Sequence, residues 1–112
     1  MTVAVIAFTR RGAELGKNLA AAMGGTLAAP ARFAADVGAE PVPSLDAWTA
    51  AQWGKAEGLI FVGAAGIAVR AIAPHIKDKF TDPAVVSVDE AGRFAVPLLS
   101  GHVGGANELA LR

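Results

Sequence analysis

Apolar positions along this chain come as short continuous runs, with alanine-rich stretches of helical spacing between them. Residues 2–8 (TVAVIAF) are an unbroken apolar and β-branched run, the pattern of a strand buried on both faces. After the turn Thr9-Arg10-Arg11-Gly12, Leu15, Leu19 and Met23 recur every fourth position. That spacing predicts a helix over 13–23, stopped by Gly24-Gly25. A short strand is expected at 26–29. Residues 30–43 hold three prolines, Gly38 and few large apolar side chains, and read as a surface loop. Ser44 suits the N-cap of a helix over 45–53, with Leu45, Trp48 and Ala51 on one face. Residues 58–62 (GLIFV) are the clearest interior strand. Gly63-Ala64-Ala65-Gly66 follows directly and leads into a helix over 67–73 that Pro74 ends. Strands are expected at 85–88 and 93–98, joined by Asp89-Glu90-Ala91-Gly92 as a hairpin turn. Another helix opens at 106–111.

Strand and helix in alternation predict an α/β fold. The expected architecture is a three-layer α/β/α sandwich on a mostly parallel sheet of about five strands, with one β-hairpin. At 112 residues a single domain is expected. The helix opening in the last seven residues is the pattern of a domain cut from a longer chain.

Composition narrows the function classes. Ten Lys/Arg balance ten Asp/Glu, so no basic excess exists to release counterions from a nucleic acid. Hydrophobicity is too high for an acidic disordered segment, although 26 of the apolar residues are alanines. With no cysteine, a disulfide scaffold, a thiolate metal site and a cysteine nucleophile are excluded. The apolar runs fall well short of the roughly 20 residues of a membrane span, and no basic region precedes the first of them. A soluble, cytoplasmic domain is expected, with no nucleic-acid or membrane partner. Its low charge density suits some apolar surface lying against a neighbouring domain.

Three stretches could carry chemistry. Gly63 and Gly66 sit where a strand ends and a helix starts, with Arg70 about a turn further on. Small residues and free backbone N–H groups there suit an anion, although the glycines equally suit tight strand-to-helix packing. The spacing is not that of a dinucleotide fingerprint. The stretch Ser100-Gly101-His102-Val103-Gly104-Gly105-Ala106-Asn107-Glu108 repeats this architecture and adds an imidazole, a hydroxyl, an amide and a carboxylate. His102 can exchange a proton near neutral pH, and the backbone of Gly104 and Gly105 could hold an oxyanion. A capped turn is the alternative. Ser100 is a poor nucleophile candidate, because no G-x-S-x-G elbow surrounds it. Lys77 and Lys79, with Arg70 upstream, could meet carboxylates or form a solvated turn. Two histidines far apart in sequence give little support to a metal site.

Taken in order, these segments resemble the N-terminal domain of the CbiG family of cobalamin biosynthesis. The resemblance runs from about Phe61 to Ala110. It is carried by Gly66-Ile67-Ala68-Val69-Arg70, by Asp78-Lys79 with Asp82-Pro83-Ala84-Val85-Val86, and by Asp89 with Gly92. Leu99-Ser100-Gly101-His102 with Gly104-Gly105-Ala106-Asn107 completes it. It implies corrin-ring chemistry: hydrolysis of the δ-lactone of cobalt-precorrin-5A with release of acetaldehyde. The cobalt would arrive with the substrate, so no protein cofactor is expected. Family chains continue into a linker and a C-terminal domain, and some are fused to a precorrin methyltransferase. A non-catalytic corrinoid-binding module of such a larger enzyme is the alternative function.

The implied substrate bears many carboxylates, which gives Gly63, Gly66, Arg70, Lys77, Lys79, Ser100, Gly101, Gly104 and Gly105 a common purpose in substrate binding. In the catalytic set, His102 would activate water. Asn107 or Glu108 would orient the water or the imidazole. Net neutrality does not oppose this, because a focused anion site needs only local cations and uncharged backbone donors.

Overall fold

The computed structural model describes residues 2–78 and 81–99. Its first strand, β1 (Val3–Ala7), is buried along its whole length, and Thr9 ends the following turn by N-capping α1 (Arg10–Met23). The Thr9 hydroxyl accepts from the Gly12 N–H at 3.0 Å, which satisfies one of the free donors of the first turn. Gly24 ends α1 in the left-handed region, at φ 64°, where a side chain would be strained. The chain continues through β2 (Thr26–Pro30), α2 (Ala31–Ala34) with a 3-10 turn, and β3 (Glu40–Val42). Next come α3 (Leu45–Trp53), β4 (Gly58–Val62) and α4 (Ala65–Ile72), also extended by a 3-10 turn. β5 (Ala84–Val88) and β6 (Ala95–Leu99) close the described part.

The six strands form one sheet in the order β3-β2-β1-β4-β5-β6, parallel except for the antiparallel β5–β6 pair. The expected α/β class, mostly parallel sheet and hairpin are all present. Two expectations about the elements need correction. The sheet has six strands and not five, because the region read as a loop contains α2 and β3. Pro41 is tolerated because β3 is an edge strand, whose outer side needs no ladder donor, while Pro30 is the last residue of β2 and Pro43 lies past β3. The hairpin loop is six residues long, since Arg93 and Phe94 belong to the turn and β6 starts at Ala95.

Alternation along the strands divides the core into two layers. Val3, Val5, Ile60, Val62, Val86 and Val88 face α1, while Ile6, Leu59, Phe61 and Val85 face α3 and α4. Complete burial of a side chain such as Phe61 or Leu59 contributes about 2 kcal/mol. α1 does not bury the leucine stripe that its period suggested. Gly12, Ala13, Gly16 and Ala20 lie against the sheet, and Leu15, Leu19 and Met23 pack alongside, half-buried. A small-residue face lets the helix backbone come close: a Cβ on Gly16 would stand 2.8 Å from Leu27 Cδ1. In α3 the buried positions are Trp48 and Thr49, with Ala51 exposed, and Ser44 caps the helix through the Ala47 N–H at 3.1 Å.

Strand order reverses at β1 and β4, so the loops at their C-terminal ends diverge to opposite sides of the sheet. Such a divergence opens the crevice in which open α/β sheets bind ligands.

Candidate functional site

The loops after β1, β4 and β5 meet at this crevice. Arg11, Gly63, Ala64, Asp89, Glu90, Ala91 and Arg93 line a cavity of about 350 Å³ there. Gly63 fixes its floor. The residue has φ 156°, donates its N–H to the Val88 carbonyl at 2.8 Å and accepts the Ser87 hydroxyl at 3.3 Å. A Cβ at Gly63 would come within 2.8 Å of the Phe8 ring, so a side chain is excluded by both conformation and space. Gly66 differs: a Cβ there would meet nothing within 4 Å. Tight packing therefore explains Gly63 and leaves Gly66 as an open position on the exposed start of α4.

Charge on this edge is unevenly satisfied. The Glu90 carboxylate accepts the Thr9 hydroxyl at 2.7 Å and thereby joins the hairpin to the start of α1, whose first turn has no acid of its own. The Asp89 carboxylate accepts the Phe94 N–H at 2.7 Å. That bond, with smaller help from other turn amides and the Arg93 charge, lowers the Asp89 pKa below its ordinary value. Both acids are thus engaged in holding the turn. Among the described residues the one ion pair is Arg10 with Asp36, at 2.9 Å; the Arg93 side chain acts on Asp89 through its charge alone, and Arg11 lines the cavity without an ion pair. Such a site can hold an anion between two guanidiniums. Among the described residues no group of three or more His, Asp or Glu side chains is placed to hold a metal ion.

A sequence profile described as "Cobalamin synthesis G N-terminal" matches residues 47–112, more than half of the chain. The chain belongs to this family.

Two curated relatives carry the name cobalt-precorrin-5A hydrolase. The protein from Salmonella typhimurium is 65% identical over 51 residues, which are 46% of this chain and 14% of that protein. The protein from Priestia megaterium is 57% identical over 53 residues, 47% of this chain and again 14% of the relative. The fold has a solved counterpart in a cobalamin biosynthesis protein G homolog from Sulfolobus solfataricus. That structure superposes with a TM-score of 0.72 at 22% identity, over 98% of this chain and 32% of its own. The CbiG N-terminal match takes in the Gly63 loop and Arg93. It leaves out α1, β2 and α2, which the structural likeness does cover.

The structure separates residues that the sequence placed together. Gly63 lies in the crevice and Gly66 beside it. Arg70 stands about one turn beyond Gly66, as expected, and since α4 is only eight residues long this is already its last turn. Arg70 thus sits at the end of α4 further along the chain from Gly63. Lys77 stands just ahead of β5 at the N-terminal edge of the sheet, where its N–H donates to the buried Asp82 carboxylate at 2.8 Å. Neither Arg70 nor Lys77 is among the residues that line the cavity at Gly63. Lys79, Ser100, Gly101, His102, Gly104, Gly105, Asn107 and Glu108 lie outside the described residues.

Sequence reasoning passed over Arg11 and Arg93, and Arg10 and Arg32 as well. A signal was available. Arg10, Arg11 and Arg32 stand within four residues of the C-terminal end of a parallel strand, and Arg93 lies in the hairpin loop on that same edge.

Proposed function

We propose that this chain acts on a cobalt-corrinoid intermediate and hydrolyses its δ-lactone, with release of acetaldehyde. The observation that carries this reading is the 65% identity over 51 residues with a protein named cobalt-precorrin-5A hydrolase. The open guanidiniums beside Gly63 support it, since the substrate's acetate and propionate arms need cationic partners.

In the proposed chemistry His102 takes a proton from water as the oxygen attacks the lactone carbonyl, and the Gly104 and Gly105 N–H groups hold the oxyanion. Asn107 or Glu108 orients the water or the imidazole. Collapse expels the ring alkoxide and leaves a carboxylate. The alkoxide then becomes the carbonyl of acetaldehyde as its carbon–carbon bond to the macrocycle breaks. The electron pair of that bond stays with the macrocycle, which takes the proton from the imidazolium. Cobalt belongs to the substrate throughout. A cytoplasmic location goes with this reading, as does a further domain of the same enzyme as partner. Ile67, Val69, Phe94 and Val96 offer exposed apolar contacts for such a domain.

The test is acetaldehyde release from the cobalt-lactone substrate, followed by coupled reduction. Turnover by the chain that is lost in His102→Ala is the expected result. Full release by that variant would remove His102 as the base. Corrinoid binding without release would leave the chain the binding role alone, and neither binding nor release would overturn the reading.

A further inference from the structure

Beyond the crevice at Gly63, two more cavities open along the same edge of the sheet, and they share a residue. The first, of about 350 Å³, is lined by Thr9, Arg10, Arg32 and Phe33. The second, of about 220 Å³, is mainly apolar, with Ile6, Phe8, Val42 and Leu45 among its walls and Arg32 again beside them.

Phe33 explains why Arg32 stands there. Its ring is 3% exposed, and it carries two guanidiniums, with Arg32 at 5.2 Å and Arg10 at 5.7 Å from the centroid. A ring face holds a guanidinium in place and leaves in-plane N–H groups free to donate. Arg10 spends its charge on Asp36. Arg32 has only the Phe8 carbonyl, at 3.5 Å, which is long for a hydrogen bond. Among the described residues no carboxylate lies within ion-pair distance of Arg32. The fold thus pins two like charges to one ring and neutralises one of them. Beside the other lies an apolar hollow.

We propose that Arg32, with Arg10 beside it, anchors a carboxylate arm of an amphipathic ligand whose apolar body occupies the hollow at Phe8, Val42 and Leu45. The corrinoid reading above supplies the ligand's identity, and the proposal rests on that reading for it: a macrocycle with apolar faces and carboxylate arms at its rim. The site itself requires only that chemistry. It adds an anchor at β2 to the one at Arg11 and Arg93, so that a wide ligand is held at two points along the edge.

The experiment is calorimetric titration of the full chain and its variants with three probes. These are a cobalt corrinoid with free carboxylates, its methyl ester, and a metal-free porphyrin with free carboxylates. Arg32→Ala is expected to weaken the free-acid corrinoid about ten- to hundredfold, the range for a charged hydrogen-bonded pair. Arg32→Lys, which keeps the charge and loses the planar fork, falls between. The ester binds weakly to both wild type and Arg32→Ala. Lys55→Ala removes one cation ahead of β4 at the opposite edge and leaves every affinity unchanged. If the corrinoid binds wild type and Arg32→Ala equally, the anchor is wrong while the corrinoid reading stands. If the corrinoid fails to bind but the porphyrin binds with Arg32 dependence, the site stands and the corrinoid reading falls. Displacement of the probes by inorganic phosphate at equal concentration would overturn the carboxylate assignment.

Discussion

The two edges of this sheet are built from the same kinds of residue and treat charge in opposite ways. At the N-terminal edge the carboxylates turn inward onto the fold. Asp82, buried, accepts from the Lys77 and Asp78 N–H groups at 2.8 and 3.1 Å and from the Trp53 indole at 3.3 Å. The Trp53 ring also lies 5.6 Å from that of His75. At the C-terminal edge the carboxylates Asp89 and Glu90 are likewise engaged. Arg11 and Arg93 line the cavity beside them, and Arg10 and Arg32 lie over Phe33 further along. Of these four arginines only Arg10 has an ion-pair partner among the described residues. The difference is in how the carboxylates are placed: Asp82 is buried with three donors at one edge, while Asp89 and Glu90 stand beside a cavity that Arg11 and Arg93 also line at the other. The second edge is also where strand order reverses, the place at which open α/β sheets bind ligands.

The sharpest way to break this contrast is to strike the N-terminal edge. A Cβ on Gly25 would overlap the Val3 carbonyl oxygen, and backbone cannot swing aside as a side-chain tip can. Gly25→Ala is therefore expected to cost about 3 kcal/mol in urea unfolding. Gly66→Ala, whose Cβ meets open space, should change stability little by the same measurement. Asp82→Ala comes next. It strips three donors of one acceptor in a buried place, and a loss of about 2 kcal/mol is expected from the shift in the urea midpoint.

Much of this contrast was legible beforehand, and the missing part has a physical cause. Buried strands announce themselves, because β1, β4 and β5 are covered on both faces and read as apolar runs, broken in β5 only by Ser87. β3 was hidden for the opposite reason: as an exposed edge strand containing a proline, its sequence carries no alternation to read. The Gly63 loop was legible because a glycine directly after an interior strand marks close approach. The arginines were not, since a cation's role depends on which sheet edge it reaches and on whether an acid meets it there. Arg70, Lys77 and Lys79 are near neighbours in sequence, yet neither Arg70 nor Lys77 lines the cavity at Gly63. Arg11 and Arg93 are 82 positions apart and line one cavity.

The C-terminal edge has its own ties, weaker than those of the N-terminal one. Thr9→Ala removes both the cap of α1 and the bond to Glu90, so about 1.5 kcal/mol should be lost on thermal unfolding, with Thr9→Ser retaining most of it. Asp89 contributes less and reveals itself through pH. Its folded pKa lies below the ordinary carboxylate value, so its stabilisation is fully present above that value. It fades as pH falls from about 3.9 through the folded pKa. Exchange protection of the Phe94 amide should follow that window and lose its acid dependence in Asp89→Asn.

The smallest expected effect on the fold is also the one that tests the contrast most directly. Arg11 and Arg93 are exposed and form no ion pair among the described residues, and the Arg93 charge is the least of the influences on Asp89, so replacing both with glutamine removes little that holds the fold. Unfolding free energy should move by no more than about 0.5 kcal/mol. Affinity for a carboxylate-bearing corrinoid should nevertheless fall about tenfold, as the cavity at Gly63 loses both of its guanidiniums. A double variant that lost stability would show these arginines serving the fold, as Asp82 does at the other edge. Unchanged stability with weakened binding would show that the C-terminal edge gains nothing for folding from its cations, and that ligand binding is what they are for.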